Sequence, residues 1–374
     1  MYYIIALVAL VFVVLTGLVI ARLQGVLKNV KKSDSEDGEP SGNKINGAMF
    51  IVILIGGAIA ITWSYLHARE YFLPVASSIH GRRTDDLFWF SMGILTIPFV
   101  AVNFLIFFFA WKYQHKKDHR ASFYPDNHKL ELIWTIVPAI VMALLVFTGW
   151  KAWSDITSDA PRDAEVIEIT GKQFNWIVRY AGVNDNKLGN YNYKLIDAQN
   201  EVGIDLSDEN SFDDFTNPSE MHIPVDRPVL LRIRARDVLH SVFIPHMRVK
   251  MDAVPGMPTK FWFVPDKSTA EMRAELNDPK FDYEIACTEV CGQGHFSMKM
   301  RLIVEDEASY KKWCAEQTTF LQTYPEYLAK VPDNLKAKAM KGLPETTTKS
   351  PAADSSATTA SAGAGVSAGS SIRR

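Results

Sequence analysis

Cys287-Thr-Glu-Val-Cys291-Gly-Gln-Gly-His295-Phe-Ser-Met298 puts two thiols, an imidazole and a thioether within twelve residues. These are soft donors, of the kind that select copper over hard cations. A single Cys with His and Met suits a mononuclear blue-copper site, whereas a second Cys one turn of loop away lets two thiolates bridge a pair of copper ions. Two other readings remain open on these residues alone. Cys and His also build closed zinc sites, although Met is a poor zinc ligand, and two thiols in an oxidising compartment can form a disulfide. The third thiol, Cys314 in Tyr-Lys-Lys-Trp-Cys-Ala, has no donor neighbours and reads as a packed helix cysteine.

Two copper coordination spheres need a second imidazole, and Arg236-Asp-Val-Leu-His240-Ser-Val-Phe-Ile-Pro245 offers one. This segment, continued by Arg248-Val-Lys-Met-Asp252-Ala-Val-Pro255-Gly-Met and then by the Cys/His/Met cluster, resembles the binuclear copper A domain of subunit II of haem-copper cytochrome c oxidases. The resemblance implies that His240, Cys287, Cys291, His295 and Met298 hold two copper ions, with Glu289 adding a backbone carbonyl oxygen. It also implies that the Glu289 carboxylate, a hard ligand, shares a magnesium or manganese ion with oxidase subunit I. His246 lies outside the motif and reads as an ordinary surface or core histidine.

The implied activity is that of the receiving subunit of a proton-translocating cytochrome-c oxidase. Copper A takes single electrons from a cytochrome c, or from a cytochrome c domain, and passes them to haem a of subunit I, where oxygen becomes water. With every donor occupied, no open position is left for a substrate, so no residue of this chain is expected to be catalytic. No Cys-x-x-Cys-His occurs, so no haem is expected on this chain and the electron donor comes from another. Partners are the other oxidase subunits and the lipid bilayer, not nucleic acid. Gly171-Lys-Gln173-Phe174-Asn-Trp176-Ile-Val-Arg-Tyr180 is similar to the family's aromatic segment at the point where electrons arrive. The first aromatic there is often tryptophan; Phe174 keeps an aromatic face but lacks the indole N–H, and Trp176 reads as packing beside the site.

Around these motifs, short segments with alternating apolar and polar residues predict strands at 165–180, 221–225, 228–235, 241–245, 260–264, 281–286 and 298–304. Broken by Pro, Gly and Asp, they point to an all-β Greek-key sandwich or barrel, which the resemblance makes cupredoxin-like. Asp306 to Leu321 reads as an amphipathic helix burying Tyr310, Trp313, Cys314 and Phe320.

Ahead of this domain lie four charge-free apolar runs, Tyr2 to Ala21, Ile45 to Ala68, Leu87 to Trp111 and Leu132 to Trp150. A bilayer core of ~30 Å needs about 20 helical residues, so four transmembrane helices are expected. Pro98 and Pro138 are tolerable inside membrane helices. The first run is read as a retained helix, since no basic residue precedes it and no small-x-small cleavage site follows. Lys and Arg concentrate in 22–44 and 112–130, which puts both termini and the external domain on the non-cytoplasmic side. The expected location is a bacterial inner membrane, as a multi-pass protein with the copper domain in the periplasm. In His128-Lys-Leu-Glu131-Leu-Ile-Trp134, the resemblance assigns Glu131 to the entrance of the proton channel leading into subunit I; read alone, it is a helix-start carboxylate.

The expected division is an extra helix and cytoplasmic linker at 1–47, a second extra helix and external loop at 48–86, the helix pair usual in the family at 87–153, the copper domain at 154–322, and an extension at 323–374, disordered from about 344 where Thr, Ser, Ala and Gly dominate. Within the copper domain, 184–220 is an insertion with nine acids against Lys187 and Lys194, read either as a docking face for a basic cytochrome or as a solvated loop. The formal charge of -2 averages it with the basic loops. Alternative functions are a copper-free structural subunit of a quinol oxidase and a membrane-tethered copper chaperone. A nitrous-oxide reductase would require many more than the nine histidines present.

Overall fold

The structure, a computed structural model, describes residues 14–25, 42–116, 119–120, 122–182, 186–341 and 343. It divides into a unit comprising Met1–Ser158 with Pro245–Arg248 and a second comprising Asp159–Ile244 with Val249–Arg374.

The first unit is helical: α1 (Val14–Gly25), α2 (Asn43–Phe72), α3 (Ile79–Lys112) and α4 (His128–Thr157). Among the described residues three helices, α2 to α4, are long and apolar enough to cross a membrane, where four were expected. The first expected span, Tyr2 to Ala21, falls up to residue 13 outside the described residues, and α1 covers the rest of it. Helices α3 and α4 outrun their apolar runs because polar caps start them early. Ser78 accepts from Gly81 N–H and begins α3 ahead of Leu87. Asn127 accepts from Leu130 N–H and begins α4 ahead of Leu132. Apolar side chains stay exposed along these helices, Ile97 at 72% and Phe147 at 67%, as surfaces that face lipid instead of water require.

The second unit is a two-sheet sandwich. One sheet has the order β3-β2-β1-β5-β8, from Phe215–Asn217, Asn175–Tyr180, Glu165–Lys172, Val229–Ala235 and Thr259–Phe263; the other has β4-β10-β9-β6-β7, from Glu220–Pro224, Lys299–Glu305, Tyr283–Cys287, His240–Ile244 and Val249–Ala253. Pairings are antiparallel except β1 with β5 and β4 with β10. Period-2 alternation sends Val229, Leu231 and Ile233 of β5 and Met300, Leu302 and Val304 of β10 inward. The single run expected at 165–180 is two strands, β1 and β2, joined by the two-residue turn Gln173-Phe174. Strand β7 has no counterpart among the expected segments.

Strands β1 and β2 are buried on both faces. Ile167, Ile169, Trp176, Val178 and Tyr180 face the sandwich, while Glu168, Thr170, Ile177 and Arg179 on the opposite face are also buried. The cover is the insertion together with chain beyond 315. Helix α5 (Thr269–Leu276) lies between β8 and β9; helix α6 (Glu307–Ala315) stops six residues before the expected Leu321, because Thr319 caps a new helix, α7 (Phe320–Thr323), and α8 (Asp333–Lys341) follows. Val202, Ile204 and Leu206 of the insertion form one apolar cluster with Ile177, Phe320, Leu321, Tyr327, Val331 and Ala339. The tail from 344 lies outside the described residues.

The insertion's acids point largely inward or to local partners. Asp214 is fully buried, with Arg179 Nε donating to it at 3.0 Å, and Arg179 Nη2 also donates to the Gly189 carbonyl at 3.0 Å. Burial pushes the Asp214 carboxyl up to about 7, opposed by Arg179. Glu168 stands between Arg179 (3.5 Å) and Arg234 (2.5 Å). Glu209 pairs with Lys338, and Asp197 with Tyr327 and Lys330. Asp214 is therefore unavailable to a docking cytochrome, contrary to the docking-face reading of that residue.

Arg179→Met tests this cover. It leaves Asp214 buried without its cationic partner and Glu168 with Arg234 alone, at a cost of about 3–5 kcal/mol. Hydrogen exchange should show amides around 186–214 losing protection while those of β9 and β10 keep it; unchanged exchange would mean the cover is held by apolar contacts alone.

Candidate metal centre

The centre is built where β6 begins and β9 ends. Antiparallel pairing sets Val242 opposite Cys287. His240, two residues before Val242, shares its face and lies beside Cys287, with Nδ1 3.9 Å from Sγ. From Cys287 the chain loops through Cys291 and the 3-10 turn His295–Ser297 and returns as β10. Cys287 N–H to Met298 carbonyl (3.0 Å) closes the loop, and Thr288 N–H to Ser241 carbonyl (3.2 Å) ties it to β6.

The two sulfurs are 3.9 Å apart as free thiols, far beyond the ~2.05 Å of a disulfide bond. Around them the donors fall into two sets. Cys287 faces His240 Nδ1 and the Glu289 carbonyl oxygen (3.3 Å). Cys291 faces His295 Nδ1 (3.6 Å) and Met298 Sδ (3.8 Å). Each thiol thus has one imidazole and one weak donor. His240 is 0% exposed, Met298 1% and Cys291 4%, so these donors are shielded from water, while His295 is half-buried and Val290 and Phe296 on the same loop are exposed. Burial, reinforced by the neighbouring Cys287, pushes the Cys291 thiol up to about 11. A metal must displace that proton to use the thiolate.

Two residues outside the expected set hold these donors. Asp237 Oδ1 lies 2.8 Å from His240 Nε2. A carboxylate only accepts, so Nε2 carries the proton and the Nδ1 lone pair faces Cys287. Burial raises the Asp237 carboxyl, but hydrogen bonds from Gln173 N–H and His240 outweigh it and hold the group below its ordinary value. Gln173 donates through its backbone N–H to Asp237 Oδ2 (2.7 Å) and through Nε2 to the Cys291 carbonyl (2.5 Å). Asp237 had a readable signal, a carboxylate three residues before a metal-binding His. Gln173 had none, being 118 residues from its partner.

Of the aromatic pair, Trp176 is fully buried, its ring 5.9 Å from that of His240 in an edge arrangement. Phe174 is 38% exposed and packs over the loop so closely that a Cβ on Gly294 would sit 2.4 Å from its ring. Gly171 is required in the same way, since a Cβ there would meet the His240 ring at 2.9 Å. His246 belongs to the turn Pro245–Met247, outside the cluster. Glu131 lies in the first turn of α4, where it accepts from Asn127 N–H (3.4 Å) and stands 3.2 Å from His128 Nδ1. That is the geometry of a helix-start cap.

Residues 66–151 match the family described as cytochrome C oxidase subunit II, transmembrane domain, and residues 165–306 match its periplasmic domain. The chain is similar to an alternative cytochrome c oxidase subunit 2 of Bradyrhizobium diazoefficiens, 30% identical over 72% of this chain and 92% of that one. It is also similar to the cytochrome c oxidase subunit 2 of Synechocystis sp., 26% identical over 73% and 83%. Among solved structures, the periplasmic domain of subunit II of the Bradyrhizobium japonicum cytochrome oxidase aligns with a TM-score of 0.28 at 23% identity, covering 41% of this chain and 94% of that one.

The packing at Gly294 makes a sharp test. Gly294→Ala forces apart Phe174 and the loop carrying His295, so copper should be lost to a competing chelator about tenfold more readily, with the circular dichroism of the sandwich unchanged. Copper retention equal to that of the unaltered chain would show that the loop position is immaterial.

Proposed function

Because the chain belongs to the cytochrome c oxidase subunit II family, and its donors form two equivalent half-sets around paired thiols, we propose that it holds two copper ions as the electron-receiving centre of its oxidase. When bound, the copper pair supplies one-electron chemistry, taking electrons from a cytochrome c or cytochrome c domain and yielding them to haem a of subunit I. The carrying observation is the division of donors, one imidazole and one weak ligand against each of two sulfurs 3.9 Å apart. A single ion needs only one such set. The soft sulfur and imidazole donors fit copper, and the thioether argues against a closed zinc site.

This chain's residues do the holding. His240, Cys287, Cys291, His295 and Met298, with the Glu289 carbonyl, would together hold the two ions, both thiolates being placed to serve the pair. Asp237 fixes the His240 tautomer, and the buried sulfurs exclude water, which favours a conduit over an exchanging chaperone. Phe174, on the exposed side of the loop, is proposed as the surface where the donor's electron arrives, with the buried Trp176 supporting His240 behind it. The Glu289 carboxylate is proposed to reach a magnesium or manganese ion shared with subunit I. Glu131, already fixed at the start of α4, is proposed as the proton-collecting carboxylate of the channel leading into subunit I. A bacterial inner membrane with the sandwich in the periplasm accords with the basic residues of 22–44 and 112–130.

The purified full chain should take up two copper ions and give an electron paramagnetic resonance pattern from one unpaired electron shared by both nuclei. One ion per chain, or a pattern from a single nucleus, would sink the binuclear assignment. In the assembled oxidase, Cys291→Ser should abolish oxidation of reduced donor with the fold retained. Glu131→Gln should slow proton uptake with copper content unchanged; full proton uptake would leave Glu131 as a helix cap only.

A further inference from the structure

One side chain of the insertion, Glu201, reaches the two segments beside the metal centre. Glu201 Oε2 is shared by Lys172 Nζ and Arg236 Nη1, the latter at 2.5 Å. Lys172 ends β1 and Arg236 follows the end of β5, where its backbone N–H donates to the Gly171 carbonyl at 2.9 Å. The next residue in each segment is one that holds the site. Gln173 follows Lys172 and grips the Cys291 carbonyl; Asp237 follows Arg236 and grips His240. Gln173 N–H and Asp237 Oδ2 join the two segments directly. Two cations sit side by side on these segments, and Glu201 is the anion between them. All three side chains are between a quarter and a third exposed, so their charges are only partly screened from the donors behind them.

We propose that Glu201 is a positioning residue for the metal centre: its carboxylate clamps Lys172 to Arg236, holds Gln173 and Asp237 in register with the Cys291 loop and His240, and sets the charge felt by the bound metal. This rests on the copper reading above and extends it to the insertion, which thereby acts on the site from inside the domain. The sign of the charge effect follows from Coulomb's law. Removing the Glu201 charge makes the surroundings more positive and favours the reduced, more electron-rich centre, so the midpoint potential rises. Removing the Arg236 charge does the reverse. Either change opens the clamp.

The test uses the full chain in detergent, loaded with copper, as Glu201→Gln and separately as Arg236→Gln. The potential should rise in the first and fall in the second, and both should release copper to a chelator several-fold faster, toward the lower end of the ~10–100-fold range seen for outer-shell partners. A residue that merely supports the fold would lower thermal stability in both variants without moving the potential in opposite directions. Equal potentials, or shifts of the same sign, overturn the charge role, and unchanged copper release overturns the clamp. An unaltered chain that takes up no copper would overturn the copper reading and the inference with it, whereas normal loading with unresponsive variants overturns the inference alone.

Discussion

The pairing of β6 with β9 is the constraint on which the centre depends. With Val242 opposite Cys287, His240 and Cys287 point to the same side of the sheet. A slip of one residue would turn one of them to the opposite face, since side chains alternate with a period of two. The register is protected from such a slip by what it buries. Val242, Ile244, Tyr283 and Ile285 are all at or near zero exposure, and a slip would bring the whole set out of the core. The apolar interior thus fixes the separation between an imidazole and a thiol that lie 47 residues apart in the chain. The remaining donors need only a short loop, because Cys291, His295 and Met298 all lie between the end of β9 and the start of β10.

A second layer of packing stiffens this arrangement from behind. An ordinary sandwich sheet has one wet face, yet β1 and β2 are covered on both. The cover carries charge into the interior, with Arg179 satisfied by Asp214, Glu168 and the Gly189 carbonyl. Such a network is costly to bury and contributes little net stability when complete, but losing one partner is expensive. It therefore admits essentially one seating of the insertion on β2. That seating brings Glu201 to the ends of β1 and β5, next to the turn that carries Gln173.

Much of the centre was legible in the sequence because its donors are chemically distinctive and four of them are closely spaced. The strands were legible where one face is wet, as in β5 and β10, and least so in β1 and β2, where burial on both faces erases the alternation. The merging of 165–180 into one expected strand has that cause, the turn at Gln173-Phe174 lacking the Gly or Asn that usually marks one. The burial of Asp214 was not legible for a related reason. Acid-rich composition is the signature of a solvated surface, and nothing local marks Asp214 as the partner of Arg179, 35 residues away. The apolar residues that seat the insertion, Val202, Ile204 and Leu206, are spread among acids, and their partners are Ile177 and residues beyond 319. Contacts of this range carry no periodicity to read.

The proposed role in electron transfer is consistent with these features. Moving an electron is fast when the donor set has the same geometry before and after, and here almost every donor is held by something other than a metal. His240 is fixed by Asp237, Cys291 by the Gln173 bond to its carbonyl, and Met298 by its backbone bonds to Cys287 and His295. Phe174 presses on Gly294, and Gly171 backs the His240 ring, so the loop and the imidazole have little room to relax. A chaperone needs the opposite, a loop that opens to release its ion. The same hydrogen bonds that hold the donors in place therefore argue against exchange and for a centre that keeps its metal while its charge changes.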